Sequence, residues 1–126
     1  MNKHALILFA HGARDPEWAK PFEKIRDLVR TQRPELVVEL AYLELMTPRL
    51  DEAMERIAGS GVADVTIAPL FMAQGGHMKE DVPRLLAQAQ QRHPDVQLRL
   101  LPAVGEVDAL LGAISAWLVA SVPGTQ

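Results

Sequence analysis

The alternation of short apolar runs with helical patterns is the feature that most constrains the fold of this chain. The apolar runs predict strands over residues 4–10, 36–43, 63–70 and 96–101. Apolar residues at helical spacing predict a helix after each strand, over 17–31, between Thr47-Pro48 and Gly59, around 82–89, and near 106–121. The order βαβαβαβα implies a parallel sheet with right-handed crossovers. We therefore expect an α/β fold: a flavodoxin-like, open, four-stranded parallel sheet with helices on both faces.

Two helix starts carry a local signal. Asp15-Pro16 and Thr47-Pro48 each combine an N-cap oxygen with a proline at the first helical position, where its missing N–H costs nothing. In the last helix, one face carries large apolar residues and is expected to pack on the core: Leu110, Ile114, Trp117 and Leu118.

Composition narrows the class of protein. A length of 126 residues favours a single domain over 1–126. The net charge is −3, the charges are interspersed and the aromatic content is 5%. The sequence therefore has neither the basic patch nor the aromatic cluster that typically binds nucleic acids or anionic membranes. The chain has no cysteine, so any metal must be held by imidazole or oxygen ligands. The apolar run near the N-terminus is too short for a signal peptide or a membrane span, and a cytoplasmic location is expected.

Three potential metal ligands follow predicted strands. If the first strand lies between the second and third, His11, Glu44 and His77 meet in the crevice beyond the carboxyl ends of the strands. Two imidazoles and one carboxylate suit Fe, Co, Ni or Zn better than Mg or Ca. Three protein ligands leave coordination positions open, as a catalytic or transfer site needs. A lone histidine after a strand is more often a turn residue or a cap, so the prediction depends on the three lying together.

Other residues near this crevice have a simple structural interpretation as well as a functional one. Met46 and Met72 are typical core residues, but flexible thioethers also suit a large, flat apolar ligand. Arg14, Lys79 and Arg84 can pair with substrate carboxylates or can lie solvated at the surface.

Three segments resemble the sirohydrochlorin chelatase family, ATP-independent enzymes that insert a divalent metal into a tetrapyrrole. The matching segments are HGARD at 11–15, AYLELMTP at 41–48 and APLFMAQGGHMKEDVP at 68–83. The resemblance implies that His11 and His77 are the two active-site histidines, acting as bases and metal ligands, and that Glu44 is their acidic partner. The family more often has serine where this chain has Ala13. Its short members pair as homodimers around the cavity.

The resemblance implies insertion of a divalent metal into sirohydrochlorin, with cobalt as the first choice and cobalamin synthesis as the pathway. Iron for siroheme and nickel are the alternatives, since imidazole and carboxylate discriminate weakly among these metals. No cofactor is expected beyond the metal that is itself a substrate. The residues expected to contact the tetrapyrrole are Arg14, Leu45, Met46, Phe71, Met72, Gly75, Gly76 and Lys79.

Two other classes of function stay open. A metal or tetrapyrrole carrier would use the same residues to bind without turnover. A histidine phosphatase on an α/β sheet would need an arginine beside the nucleophilic histidine, but Ala10 precedes His11.

Overall fold

Four parallel strands alternate with four α-helices. The computed structural model describes residues 3–73 and 75–124, with the side chain of His77 outside that description. The elements are β1 (His4–Ala10), α1 (Lys20–Gln32), β2 (Val37–Tyr42), α2 (Leu50–Gly59), β3 (Asp64–Pro69), α3 (Gly76–Arg92), β4 (Gln97–Leu100) and α4 (Asp108–Ser121), with 3₁₀ turns at Pro16–Ala19 and Val104–Glu106.

The sheet has the order β2-β1-β3-β4, which confirms the expected flavodoxin-like arrangement. β1 is central: Phe9 is the register partner of Ala41 in β2 and of Pro69 in β3. Its last four residues are all buried, as expected for a strand covered on both faces. The chain reverses direction across the sheet after β2. Because crossovers are right-handed, this reversal places α1 on one face and α2 and α3 on the other.

The two faces of the sheet have cores of different size. The core under α2 and α3 is the larger and contains Ile7, Phe9 and Met54 among its fully buried side chains. The core on the α1 side is smaller and joins β1, β2 and α1 through residues such as Leu8 and Leu40. α1 packs on β2 and β1. The α1 side of β3 is less covered, since Asp64, Thr66 and Ala68 are only half-buried.

α4 departs from the sequence-based expectation. The predicted core face of Leu110, Ile114, Trp117 and Leu118 packs on no core in the described part of the chain, and these residues are 43%, 38%, 67% and 51% exposed. Every residue from 108 to 121 is exposed. The helix itself forms close to where the sequence predicts it. Its start is fixed by the 3₁₀ turn at Val104–Glu106, against which it packs.

Two helix starts also differ in detail. The Asp15-Pro16 signal caps a 3₁₀ turn, in which Glu17 N–H donates to Asp15 Oδ1 at 2.9 Å, and α1 follows. The predicted cap at Thr47-Pro48 is wrong: α2 begins at Leu50. Tyr42 N–H donates to the Pro48 carbonyl at 2.9 Å, which holds that segment beside β2. Across residues 3–73 and 75–124, no helix combines the length and apolar character that crossing a bilayer requires.

Candidate functional site

His11 and Glu44 are brought together by hydrogen bonds that continue the sheet beyond its strands. β1 ends at Ala10 and β2 at Tyr42. Leu43 N–H donates to the Ala10 carbonyl at 2.9 Å, and Glu44 N–H donates to the His11 carbonyl at 3.1 Å. The backbones of the two residues therefore lie side by side at the carboxyl edge, where open α/β sheets bind ligands.

Their side chains meet at hydrogen-bond distance. His11 Nε2 lies 3.0 Å from Glu44 Oε1, and the side chains are 48% and 53% exposed. A separation of 3.0 Å is that of a hydrogen bond. An imidazole nitrogen and a carboxylate oxygen are both common metal ligands, and a pair this close can hold one ion after a small adjustment. Their exposure leaves room for a metal to arrive from solvent.

Gly12 makes this approach possible. Its φ is +99°, in the left-handed region that L side chains rarely adopt. A Cβ at this position would lie 1.8 Å from the Glu44 carbonyl oxygen. A side chain at residue 12 would therefore push apart the two segments that carry His11 and Glu44.

Phe71, in the loop after β3, packs against His11. After β3, Leu70 N–H donates to the Phe9 carbonyl at 2.8 Å, which aligns the following residues with the end of β1. The Phe71 ring lies edge-on to the His11 ring, with centroids 6.4 Å apart, and Phe71 is 5% exposed. Phe71 thus packs beneath the site and restricts His11, rather than offering an open face to a flat ligand.

His77 lies at the start of α3. It is the second residue of the helix, after the N-cap Gly75. The loop before it leaves β3 at the same edge of the sheet as His11 and Glu44. The side chain of His77 lies outside the described residues, so its role as the third ligand stays a prediction. Within the described side chains there is no group of three or more His, Cys, Asp or Glu spaced to hold one ion.

The residues predicted to contact a tetrapyrrole fall into two groups. Leu45 and Met72 are 58% and 60% exposed beside the site and present apolar surface to solvent. Leu45 also has a positive φ of 67°, a conformation that costs a leucine energy and that occurs often at functional sites. Met46 instead packs against the α1-side core. The other exposed members of the predicted set are Arg14, Gly75, Gly76 and Lys79.

A groove between α2 and α3 adds a feature that the sequence did not indicate. It has a volume of about 440 Å³, with Glu44 and Arg49 among its lining residues. Arg84, which was predicted to lie near the crevice, also lines this groove. Its guanidinium forms an ion pair with Asp81 at 2.8 Å. Arg49 was missed because its place beside the site depends on the fold of the segment after Glu44.

Known proteins share this fold. A crystal structure from Marinobacter aquaeolei, called a CbiX protein of cobalamin (vitamin B12) biosynthesis, has 34% sequence identity and a TM-score of 0.81, with 93% of this chain and 95% of that chain covered. The sirohydrochlorin chelatase SirB of Bacillus subtilis subspecies spizizenii, solved with cobalt, shares the fold at 21% identity and a TM-score of 0.78, but the match covers 51% of that chain.

Sequence relatives point the same way. A sirohydrochlorin cobaltochelatase of Methanopyrus kandleri is 37% identical over 82 residues, which are 65% of this chain and 57% of that protein. One from Methanosarcina barkeri is 31% identical over 86 residues. The matched segment spans 57% and 66% of these two relatives, less than two thirds of their length. Residues 5–119 match the CbiX family along nearly the whole described chain. The chain belongs to the CbiX family.

Proposed function

We propose that this chain inserts a divalent metal into sirohydrochlorin without ATP, and that the inserted metal is cobalt. The observation that carries the proposal is the 3.0 Å separation of His11 Nε2 and Glu44 Oε1 at the open carboxyl edge of the sheet. The names of the M. kandleri and M. barkeri relatives support cobalt and the tetrapyrrole as substrates.

The reaction asks two things of these residues. The metal must exchange its water ligands for protein ligands and then for pyrrole nitrogens. The macrocycle must lose two N–H protons, which leave as the metal–nitrogen bonds form. The His11 imidazole and the Glu44 carboxylate can hold the incoming ion and can accept protons from the macrocycle. His77 is proposed as the third ligand, and Leu45 and Met72 as the apolar surface against which the ring lies.

We further propose that the working unit is a homodimer in the cytoplasm. The structural match covers 94% of this chain but only 51% of the SirB chain, so two copies of this chain would match the size of that chelatase. A site open on one side, with half-exposed His11 and Glu44, fits a cavity that is closed by a second copy.

Metal insertion can be followed by the absorbance change of metal-free sirohydrochlorin with Co²⁺, with Ni²⁺, or with Fe²⁺ under anaerobic conditions. We expect the protein to accelerate insertion above the spontaneous rate, most with Co²⁺. His11→Ala and Glu44→Gln are each expected to reduce that acceleration about 100-fold, since they remove a positioned base and ligand. His4→Ala is the matched control, because His4 is exposed at the opposite edge of the sheet.

Each result has a clear meaning. A faster rate with Fe²⁺ or Ni²⁺ than with Co²⁺ would correct the metal and support siroheme or nickel chemistry. If the protein binds tetrapyrrole and metal without accelerating insertion, it is a carrier and not an enzyme. Equal rates for the wild type and His11→Ala would contradict the proposed site.

A further inference from the structure

The groove between α2 and α3 continues from the candidate metal site. Glu44, the hydrogen-bond partner of His11, lines the end of the groove at the carboxyl edge of the sheet. The groove has a volume of about 440 Å³, and the buried side chains of Leu50 and Met54 form part of its floor. A concave site of this size, with apolar lining and a few charged groups, is typical of small-molecule binding. The His11–Glu44 pair occupies only the mouth, so the rest of the groove is open to a further part of the substrate.

Three arginines line this groove, at different distances from the site. Arg49 directly precedes α2 and lies at the same end of the groove as Glu44. Arg84 lies on α3 and forms an ion pair with Asp81 at 2.8 Å. Arg92 ends α3, about 12 Å farther along the helix axis for eight residues at 1.5 Å each. Arg49 therefore marks the near end of the groove and Arg92 the far end.

The backbone of Arg49 is held from two sides. Its N–H donates to Glu52 Oε1 at 2.9 Å, and the residue forms a β-bridge with Tyr42 at the end of β2. Arg49 is the N-cap of α2, where the partial positive charge of the helix end disfavours a cation. The charge of Arg49 thus does not stabilise α2, which favours a role for the guanidinium outside the helix.

The carboxylates around Arg49 have other partners. Glu44 pairs with His11 at 3.0 Å. Asp51 Oδ1 accepts the Glu52 N–H at 3.0 Å, and Glu52 accepts the Arg49 N–H. Among the side chains that the structure describes, none forms an ion pair with Arg49. Its guanidinium is available to an incoming anion, which would otherwise meet the negative charges of Glu44 and Asp51.

We propose that Arg49 binds one carboxylate arm of the tetrapyrrole at the mouth of the α2–α3 groove and is a positioning residue for the ring. The inference deepens the proposed function and rests on it. Sirohydrochlorin bears many carboxylates around its edge, and a guanidinium binds a carboxylate through two parallel hydrogen bonds. Because the Arg49 backbone is held, this contact fixes the rotation of the ring above His11 and Glu44. It also selects against tetrapyrroles that lack a carboxylate at this edge.

Binding of metal-free sirohydrochlorin, followed by its absorbance, tests the contact directly. Arg49→Gln is expected to raise the Kd about tenfold, because a charge-assisted pair is lost. Arg49→Lys keeps the charge but not the planar fork, so its Kd should lie between those of Arg49→Gln and the wild type. Arg92→Gln is the matched control, since it removes the same charge at the far end of the groove. A change of less than twofold in Arg49→Gln, or an equal rise in Arg92→Gln, would overturn the proposal.

A neutral ligand separates recognition of the arm from a structural effect. When the carboxylates of sirohydrochlorin are converted to primary amides, the wild type and Arg49→Gln should bind it equally. Equal losses of affinity for the acid and the amide would show that Arg49 only shapes the groove, and would overturn the proposal. In the insertion assay, Arg49→Gln is expected to raise KM more than it lowers kcat, because Arg49 does not touch the reacting nitrogens.

The binding titrations contain no metal, so the arm contact and the chelatase activity can fail separately. Binding with the expected loss in Arg49→Gln, but without metal insertion, would support the contact and overturn the enzyme. Metal insertion with the same KM in Arg49→Gln as in the wild type would overturn the contact and support the enzyme. A wild-type protein that does not bind the tetrapyrrole would overturn both.

Discussion

Gly12 shows how one residue without a side chain sets the geometry of a site. The proposed ligands are His11 and Glu44, but their spacing depends on the absence of a Cβ between their backbones. The positive φ of Gly12 turns the chain out of β1 immediately after His11. A substitution here therefore acts on the fold and on the ligand pair together.

Gly12→Ala is expected to lower the free energy of unfolding by about 2–4 kcal/mol, because the new Cβ meets the Glu44 carbonyl oxygen and the φ is unfavourable for alanine. Co²⁺ affinity should fall as well, as the His11–Glu44 pair is forced apart. Urea unfolding and calorimetric titration measure the two effects. Gly59→Ala is the control, since its Cβ would meet nothing within 4 Å and it lies in a helix. Similar losses in both variants would contradict this account.

Tyr42 titrates differently in the folded and unfolded chain. Burial of the ring raises the pKa of its phenol above the usual 10.0, the nearby Glu23 raises it further, and Arg26 opposes the shift. The folded protein thus keeps the proton to higher pH than the unfolded chain. The contribution of Tyr42 to stability is complete below pH 10 and is lost as the pH rises toward the folded pKa.

We expect the stability difference between the wild type and Tyr42→Phe to be constant from pH 7 to 9 and to change above pH 10, by at most about 1.4 kcal/mol per pH unit. Urea unfolding of both proteins at pH 8, 9, 10 and 11 measures this difference and cancels the titration of lysines. Tyr42 is the only tyrosine, so no other phenol contributes. A difference that stays level through pH 11 would show that the phenol is not shifted.

At the scale of elements, the loop after β3 connects parts that are distant in sequence. Phe71 contacts the His11 ring, and its carbonyl accepts the hydrogen bond from Gly105 at the base of α4. The same short segment therefore supports both the 3₁₀ turn that precedes α4 and the candidate metal site.

Gly105→Ala tests this connection. The added Cβ would meet the Met72 carbonyl oxygen, so the 3₁₀ turn must shift, and we expect a loss of about 1–3 kcal/mol of stability. Metal insertion should also slow, because Phe71 would move beneath His11. Thermal unfolding and the insertion assay measure the two effects. Unchanged activity in a destabilised protein would show that the site is independent of the 3₁₀ turn that precedes α4.

The elements were largely predictable from the sequence, because strand and helix formation follow local apolar periodicity. The order of β1, β2 and β3 was expected by analogy with flavodoxin-like sheets, and this order places His11 beside Glu44. The environment of α4 was not predictable: the spacing of Leu110, Ile114 and Trp117 indicates an apolar face, but not which protein surface covers it. The close approach at Gly12 was missed as well, since it depends on distances between two backbones.

For the whole molecule, the proposed homodimer would make stability depend on protein concentration. Association stabilises the folded state by mass action, with about 1.4 kcal/mol for each tenfold rise in concentration. For a pair of chains of this size, that is an increase of about 3–5 °C in Tm. Calorimetry from 1 to 100 μM should show this slope, and a flat profile would contradict the homodimer.

The margins of the sheet discourage further growth of such a pair. β4 is four residues long and exposes Gln97 and Arg99, which makes it a poor template for another strand. On the other margin, the Arg30 guanidinium donates a hydrogen bond to the Val38 carbonyl. Tyr42, at the end of β2, forms a β-bridge with Arg49. Both margins of the sheet are thus poor templates for another strand, so the proposed homodimer is not expected to grow into open-ended fibrils.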